Sequence, residues 1–404
     1  HEKGPLPPSG RTVLSHAKTT PAARMTQLMS LDEWRELPVH FWSVCWFILG
    51  SMVGSFLNVC VHRMPLGVSV ITPPSHCPRC QYRIPWYLNL PILSWIWLRG
   101  RCRQCQEPIA FRYVALEALT GSMFVACWWI VGVQSTPLAI AYATILSALL
   151  VATLIDFEHF IIPDEITLGG ILAGLTYAVI FPEIHGSQGR LEAFKWSFMG
   201  ATVGWLLVYA IVRLGKAMFG KMEVTLTEES RLIFTETALV LPQETIPYEE
   251  IFYRKSDHID LEASRLELVD RCYAGVHFKL SPTRLEIDGE RFNPEEIEHM
   301  EAWCSSITLP REAMGFGDVK FMSAIGAFLG WQSTFFSLMV SSMIGAVVGI
   351  LLICIGKREW SSRLPFGPYI ALAAVLWMFL PDPLKDQWKE QLNVLLLPFE
   401  NWLS

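Results

Sequence analysis

The chain has 404 residues, of which 52% are hydrophobic and 17% charged, with 16 Trp and 23 Phe. Its apolar residues gather into runs near the ~20 residues that cross a bilayer, which excludes an ordinary soluble enzyme and predicts a polytopic helical membrane protein. The formal net charge of -6 averages over unlike parts and gives no support to nucleic-acid binding.

Residues 1–24 are polar, rich in Pro and Gly, and begin without Met; they read as a disordered tail or cloning remnant ahead of Met25. Together with an interfacial stretch they form a lead-in over 1–40. The first span is 41–60. Its Gly50, Gly54 and Ser55 suit close helix packing, and Asn58 near its end is either an interhelical hydrogen-bond partner or a substrate contact. Residues 61–112 read as a compact polar module, in which Arg63, Arg79, Arg83, Arg99, Arg101, Arg103 and Arg112 face a single acid, Glu107. The positive-inside rule makes this module cytoplasmic and puts the N-terminus outside.

Spans two to five follow within 113–216, at 113–133, 137–155, 166–182 and 196–214. The second carries Glu117, read as a carboxylate near the interface. Asp156 closes the third, and the turn after it runs through Glu158, His159, Pro163, Asp164 and Glu165. Pro163 followed by Asp164 predicts a helix start. Over 217–312 the composition changes to charged and acidic with alternating apolar positions, which predicts a soluble, mostly β insert with one helix. Asn293 as cap, Pro294 and an acidic first turn start that helix, which runs to Cys304. Within the insert, Thr237, Leu239, Leu241, Glu244, Ile246, Glu249, Glu250 and Ile251 recur at constant offset as Thr283, Leu285, Ile287, Glu290, Phe292, Glu295, Glu296 and Ile297. That echo reads as two related β-β-α-like units or as chance. Spans six to eight lie within 313–382, at 319–331, 333–355 and 366–381. Lys357, Arg358 and Arg363 place the last connection inside, and 383–404 reads as an amphipathic tail with Trp388 and Trp402 on the outer interface. The expected fold is an all-α polytopic membrane protein of about eight spans, with a cytoplasmic zinc-ribbon-like module and an inserted α+β domain.

Two sets of residues carry chemistry. In Gly315-Phe316-Gly317-Asp318-Val319-Lys320 a carboxylate stands where polar chain meets an apolar run, and Asp156 ends its span on the same predicted face. Two carboxyls a few Å apart cannot both ionise easily, so one can act as base on a water while the other donates to a carbonyl oxygen. The bland reading is a pair of interfacial charges or helix caps. Gly315 and Gly317 would let extended substrate backbone approach, and Lys320, Asp164, Glu158 and Asn58 are further candidate contacts. The second set is Cys77, Cys80, Cys102 and Cys105, a CxxC–x21–CxxC pattern that suits tetrahedral structural Zn2+, with redox pairing as the alternative. An ion- or proton-coupled transporter would use the carboxylates differently, with sites near the bilayer midplane. A non-catalytic zinc-ribbon scaffold would explain the cysteines alone.

These stretches together resemble the type IV prepilin peptidase family, the Gly-x-Gly-Asp aspartic membrane proteases. The matching residues are Gly54-Ser55-Phe56-Leu57-Asn58-Val59 with Arg63 and Pro65, the two CxxC pairs, Phe111-Arg112-Tyr113 with Glu117, Ile155-Asp156 with Ile162-Pro163-Asp164, the Gly315–Lys320 stretch, and Pro365-Phe366-Gly367-Pro368. The resemblance covers 41–217 and 315–380. It implies cleavage of prepilin or type II secretion pseudopilin precursors at the cytoplasmic face of the bacterial inner membrane, with Asp156 and Asp318 as the catalytic pair. It also implies N-methylation of the new N-terminus from S-adenosyl-L-methionine, at residues the resemblance does not map. The insert departs from the family, which has a short connection there; it could attract a basic leader, dock a pilus or secretion assembly component, or be decoration.

Overall fold

The computed structural model describes residues 38–242, 245–252, 257–268, 270–294, 297, 299–310, 314–355 and 364–403. Most of the expected N-terminal lead-in, the Lys357–Arg363 connection, and Glu244, Glu295 and Glu296 of the internal echo lie outside the described residues.

The bundle opens with α1 (Val39–Arg63). A long connection carries the short α2 (Leu93–Trp97) and leads to α3 (Phe111–Cys127), which continues as a π-helical turn to Gly132. Then come α4 (Thr136–His159), α5 (Asp164–Ile180) and α6 (Arg190–Phe219). Local chemistry sets these limits. The Ser135 hydroxyl accepts a hydrogen bond from the Leu138 N–H at the start of α4, with proline in the first turn. At the other end Phe160 caps α4 in the left-handed region, φ 54°, and Pro163 restarts the chain as α5 with Asp164 and Glu165 in its first turn.

The insert runs β1 (Lys221–Thr235), β2 (Ala238–Val240), β3 (Thr245–Pro247), the single turn α7 (Tyr248–Ile251), β4 (Ile259–Leu268), β5 (Cys272–Ser281), β6 (Arg284–Ile287), β7 (Glu290–Phe292) and β8 (His299–Pro310). All eight strands form one sheet in the order β3-β2-β1-β8-β4-β5-β6-β7, and every pairing is antiparallel. Across its centre Leu232, Ala302 and Leu266 lie in one row and are fully buried. The next row, Arg231, Trp303 and Arg265, faces outward, with both guanidiniums over the indole. The sheet curls until Phe234 of β1 meets Phe278 of β5 edge to face, centroids 5.2 Å apart. Sheet pairing repeats at the offset of the sequence echo: Phe234 pairs Leu239 as Leu280 pairs Leu285, and Leu239 pairs Ile246 as Leu285 pairs Phe292.

The expected helix from Asn293 to Cys304 is corrected: residues from His299 onward are strand β8. Met300, Ala302, Cys304, Ile307 and Leu309 are all buried along it, a strand pattern that wins because β8 sits between β1 and β4. The cap signals are spent on one turn, in which the Ile297 N–H donates to the Pro294 carbonyl.

The bundle resumes with α8 (Phe316–Leu329), α9 (Trp331–Cys354), α10 (Gly367–Phe379) and α11 (Asp382–Leu403). Among the described residues, five helices are long and apolar enough to cross a membrane, or six if α10 and α11, bent by 114°, count as one span. Two other expected spans, α5 and α8, are helices of 17 and 14 residues. Helix α11 folds back so that Trp388 meets Phe336 of α9, centroids 5.5 Å apart.

Short α8 is the most enclosed of these helices, with ten of its 14 residues buried. It packs against α6 backbone to backbone. A Cβ on Gly200 would collide with the Gly326 carbonyl oxygen, and one on Gly326 with that of Gly200. Ser197 and Ser323 then donate across the same contact, to the Ala327 and Ala201 carbonyls at 2.7 and 2.8 Å. This contact fixes α8, and therefore Asp318, relative to the rest of the bundle.

Candidate active site

Asp156 lies in the last turn of α4 and Asp318 in the first turn of α8. Both are buried, 5% and 8% exposed. Their helix ends converge on a shared neighbour. Ile162, in the turn that Pro163 forces, packs beside Gly317 of α8 and beside Gly367, whose N–H donates to Asp156. It lies 3.4 Å from where a Cβ on Gly317 would stand and 3.1 Å from where one on Gly367 would.

Gly367 has a role that the sequence did not disclose. Its backbone N–H donates to Asp156 Oδ2 at 2.9 Å, and a Cβ there would stand 2.6 Å from the same oxygen. Only a residue without a side chain allows the N–H this close to the carboxyl. It belongs to the first turn of α10, where N–H groups have no helical partner and are free to bind an anion. The Gly-Pro pair at a helix start was the available signal, but a backbone donor has no side-chain signature.

The other candidate residues sort differently. Gly315 is the N-cap of α8, its carbonyl accepting from the Asp318 N–H at 3.2 Å. Lys320 donates to Asp164 at 2.6 Å, so these two predicted contacts pair with each other and tie α8 to α5. Glu158 pairs with Arg112 at the start of α3. Asn58 donates to the carbonyls of Gly54 and Tyr113, at 3.3 and 3.1 Å, and so links α1 to α3. Buried Glu117 accepts the Ile92 N–H at 2.7 Å and fastens the long connection to α3.

That connection holds the cysteines. Each CxxC forms a knuckle of the same design. The Cys77 N–H donates to the Tyr82 carbonyl and the Gln81 N–H back to Cys77; Cys102, Glu107 and Gln106 repeat the pattern. Gln81 and Gln106 take φ of 58° and 59°, a left-handed conformation that costs a non-glycine residue about 1–2 kcal/mol and that both knuckles require. The four sulfurs lie within 4.8 Å of one another. Cys77 to Cys105 is 3.8 Å and Cys80 to Cys102 is 3.9 Å. Tetrahedral zinc with Zn–S bonds of about 2.3 Å places its sulfurs about 3.8 Å apart, so this set fits a metal such as zinc. Arg79 and Glu107 form an ion pair between the two knuckles.

Comparison with known proteins covers both halves of this site. Residues 48–131 match the family model described as the bacterial peptidase A24 N-terminal domain, and 143–224 with 301–350 match the type IV leader peptidase family. The gap between the last two segments coincides with most of the sheet. The prepilin leader peptidase/N-methyltransferase of Aeromonas hydrophila is 27% identical over 369 residues, covering 84% of this chain and 92% of that protein. The protein of the same name from Myxococcus xanthus is 40% identical over 186 residues, 45% of this chain and 52% of that one. No solved structure matches significantly.

Proposed function

We propose that this chain, which belongs to the type IV leader peptidase family, cleaves the leader peptides of type IV prepilins or type II secretion pseudopilins with Asp156 and Asp318, and N-methylates the new N-terminus. The observation that carries the reading is the burial of two carboxyls, from opposite halves of the chain, at helix ends that share Ile162 as a neighbour. With one proton between them, one carboxylate takes a proton from water while the other protonates the scissile carbonyl oxygen. The water oxygen bonds to the carbonyl carbon. As the tetrahedral intermediate collapses the C–N bond breaks, the proton on the first carboxyl passes to the leaving amine, and one hydroxyl of the intermediate returns its proton to the second carboxylate. Gly367 holds Asp156 in place through these steps, and extended substrate would run past Gly315 and Gly317. S-adenosyl-L-methionine supplies the methyl group for the second activity when bound.

Around this centre we place eight membrane helices, α1, α3, α4, α5, α6, α8, α9 and α10, in the bacterial inner membrane. The arginine-rich connection supports a cytoplasmic site with both termini outside. Structural Zn2+ would be held by Cys77, Cys80, Cys102 and Cys105, a ribbon-like closed set that leaves no position for substrate. The sheet would dock a pilus or secretion assembly component or attract the basic leader.

The test is incubation of the purified full chain with a prepilin, reading leader loss and methyl addition by mass spectrometry. Asp156→Ala and Asp318→Ala are each expected to insert into the membrane and to leave the precursor uncut. Near-normal cleavage by either variant overturns the assignment.

A further inference from the structure

The connection from Arg63 to Phe111 is not the uniformly polar module its arginines suggest. From Ile84 to Leu98 it contains no charged residue. That run is shorter than the ~20 residues needed to cross a bilayer and has the length of an interfacial or buried segment. It is not buried. Trp86 is 80% and Trp97 79% exposed, with Tyr87, Leu90, Leu93 and Ile96 exposed between them. In α2 the exposed Leu93, Ile96 and Trp97 stand at i, i+3 and i+4, on one face, while Ser94 is buried.

We propose that this face is a membrane-docking surface, seated in the headgroup region of the leaflet at the cysteine end of the bundle and binding anionic lipid. Three observations commit it to that occupant. First, its height is fixed. Ile92, in the middle of the run, is tied through Glu117 to α3, and Trp95 donates its indole N–H to the Ile109 carbonyl at 3.1 Å, two residues before α3 begins. The run is therefore fastened to the start of a spanning helix whose Phe111, Tyr113 and Leu119 are themselves exposed. Second, its composition is that of an interface: tryptophan and tyrosine among aliphatics, the residues that settle at headgroup level. Third, Arg99, Arg101 and Arg103 follow the run directly and are exposed, while Glu107 is already paired with Arg79. Cations beside an apolar interfacial face attract anionic headgroups and repel the basic leader of a prepilin, which argues against substrate as the occupant.

The experiment places p-benzoylphenylalanine at Trp86 or at Trp97 in the full chain, reconstituted in nanodiscs of phosphatidylethanolamine and phosphatidylglycerol. Position Arg79 on the first knuckle is the control. Each variant is first shown to retain the metal content of the unmodified chain. Illumination is expected to yield phospholipid adducts at 86 and 97 and none at 79. Adducts to an added prepilin or to a second copy of the chain, or no adduct at either position, overturn the proposal. A second arm changes Arg99, Arg101 and Arg103 to Gln. Lipid-adduct yield at 97 is then expected to fall severalfold in the anionic discs and to stay constant in phosphatidylcholine discs. Equal yields from the arginine and glutamine forms in anionic discs overturn the headgroup assignment.

Discussion

The helical bundle and the sheet inserted into it are built inside out relative to each other. On the sheet, apolar side chains such as Leu232, Ile259 and Phe278 are buried while Arg231, Arg265 and Trp303 cover the outside. In the bundle, large apolar residues such as Leu172, Met343 and Val347 are exposed, and Asp156, Thr167, Ser197, Asp318, Ser323 and Thr334 are buried. The difference teaches that one chain is written for two solvents. Burial of apolar surface from water drives the sheet together. Lipid offers helices no such force, so they associate through small residues and buried hydrogen bonds, as α6 and α8 do through Gly200, Gly326, Ser197 and Ser323. Polar side chains inside the bundle cost least where they have partners, as Ser197, Ser323 and Asp156 do.

If the chemistry belongs to the bundle alone, changes in the two regions should separate. The largest effect after loss of either aspartate is expected for Gly367→Ala. The new methyl displaces the Asp156 carboxyl, and a shift of that size costs roughly 10–100-fold in kcat with KM little changed, measured on a prepilin peptide. Equal kcat in the variant would remove Gly367 from the site. Next, Cys77→Ser with Cys80→Ser should lower zinc from about one per chain to near none by elemental analysis and reduce thermal stability. Retention of zinc would contradict the four-cysteine set. Third, Phe278→Ala should destabilise the sheet by about 3–5 kcal/mol, read as loss of hydrogen-exchange protection in β4 and β5, while cleavage changes less than about twofold. A matching fall in cleavage would break the separation.

The smallest effect concerns Glu301, whose carboxyl Arg231, and then His299, hold down at about 2. A depressed carboxyl contributes stability that is present above its unfolded value near 4.5 and is lost as pH falls toward 2. Glu301→Gln should therefore reduce the protection of β8 at pH 6, and the difference from the unmodified chain should vanish near pH 2. A difference that persists unchanged at pH 2 would assign the effect to packing.

Much of the bundle was legible because its signals are local. Pro163 with Asp164 marks the α4–α5 break, and the CxxC pairs announce their own cluster. The aspartates could be paired because each ends or begins an apolar run at one predicted face. What was hidden depends on partners distant in sequence. The cap signals at Asn293–Pro294 are genuine, but the alternation through Met300, Ala302 and Cys304 serves two neighbouring strands and prevails. Lys320 and Asp164 looked available to substrate because nothing in either stretch names the other as its partner. Counting arginines masked the uncharged run from Ile84 to Leu98, since the mean over the module hides a boundary inside it.

The insert meets the bundle through β1 and β8, which pair from Lys221 opposite Pro310. One strand follows α6 and the other precedes α8, the two helices whose packing positions Asp318. Adjacent strands lie about 4.8 Å apart, so the folded sheet presents its two ends as near neighbours. This changes the folding problem. Without the sheet, α6 and α8 would have to find each other across a long open loop. Closing such a loop costs about 0.6 kcal/mol more for each doubling of its length, and long-range contacts slow the search. Once the sheet has formed in water, the intervening segment acts as a short clasp. The sheet then becomes a folding aid for the membrane helices on either side of it, whatever else it binds.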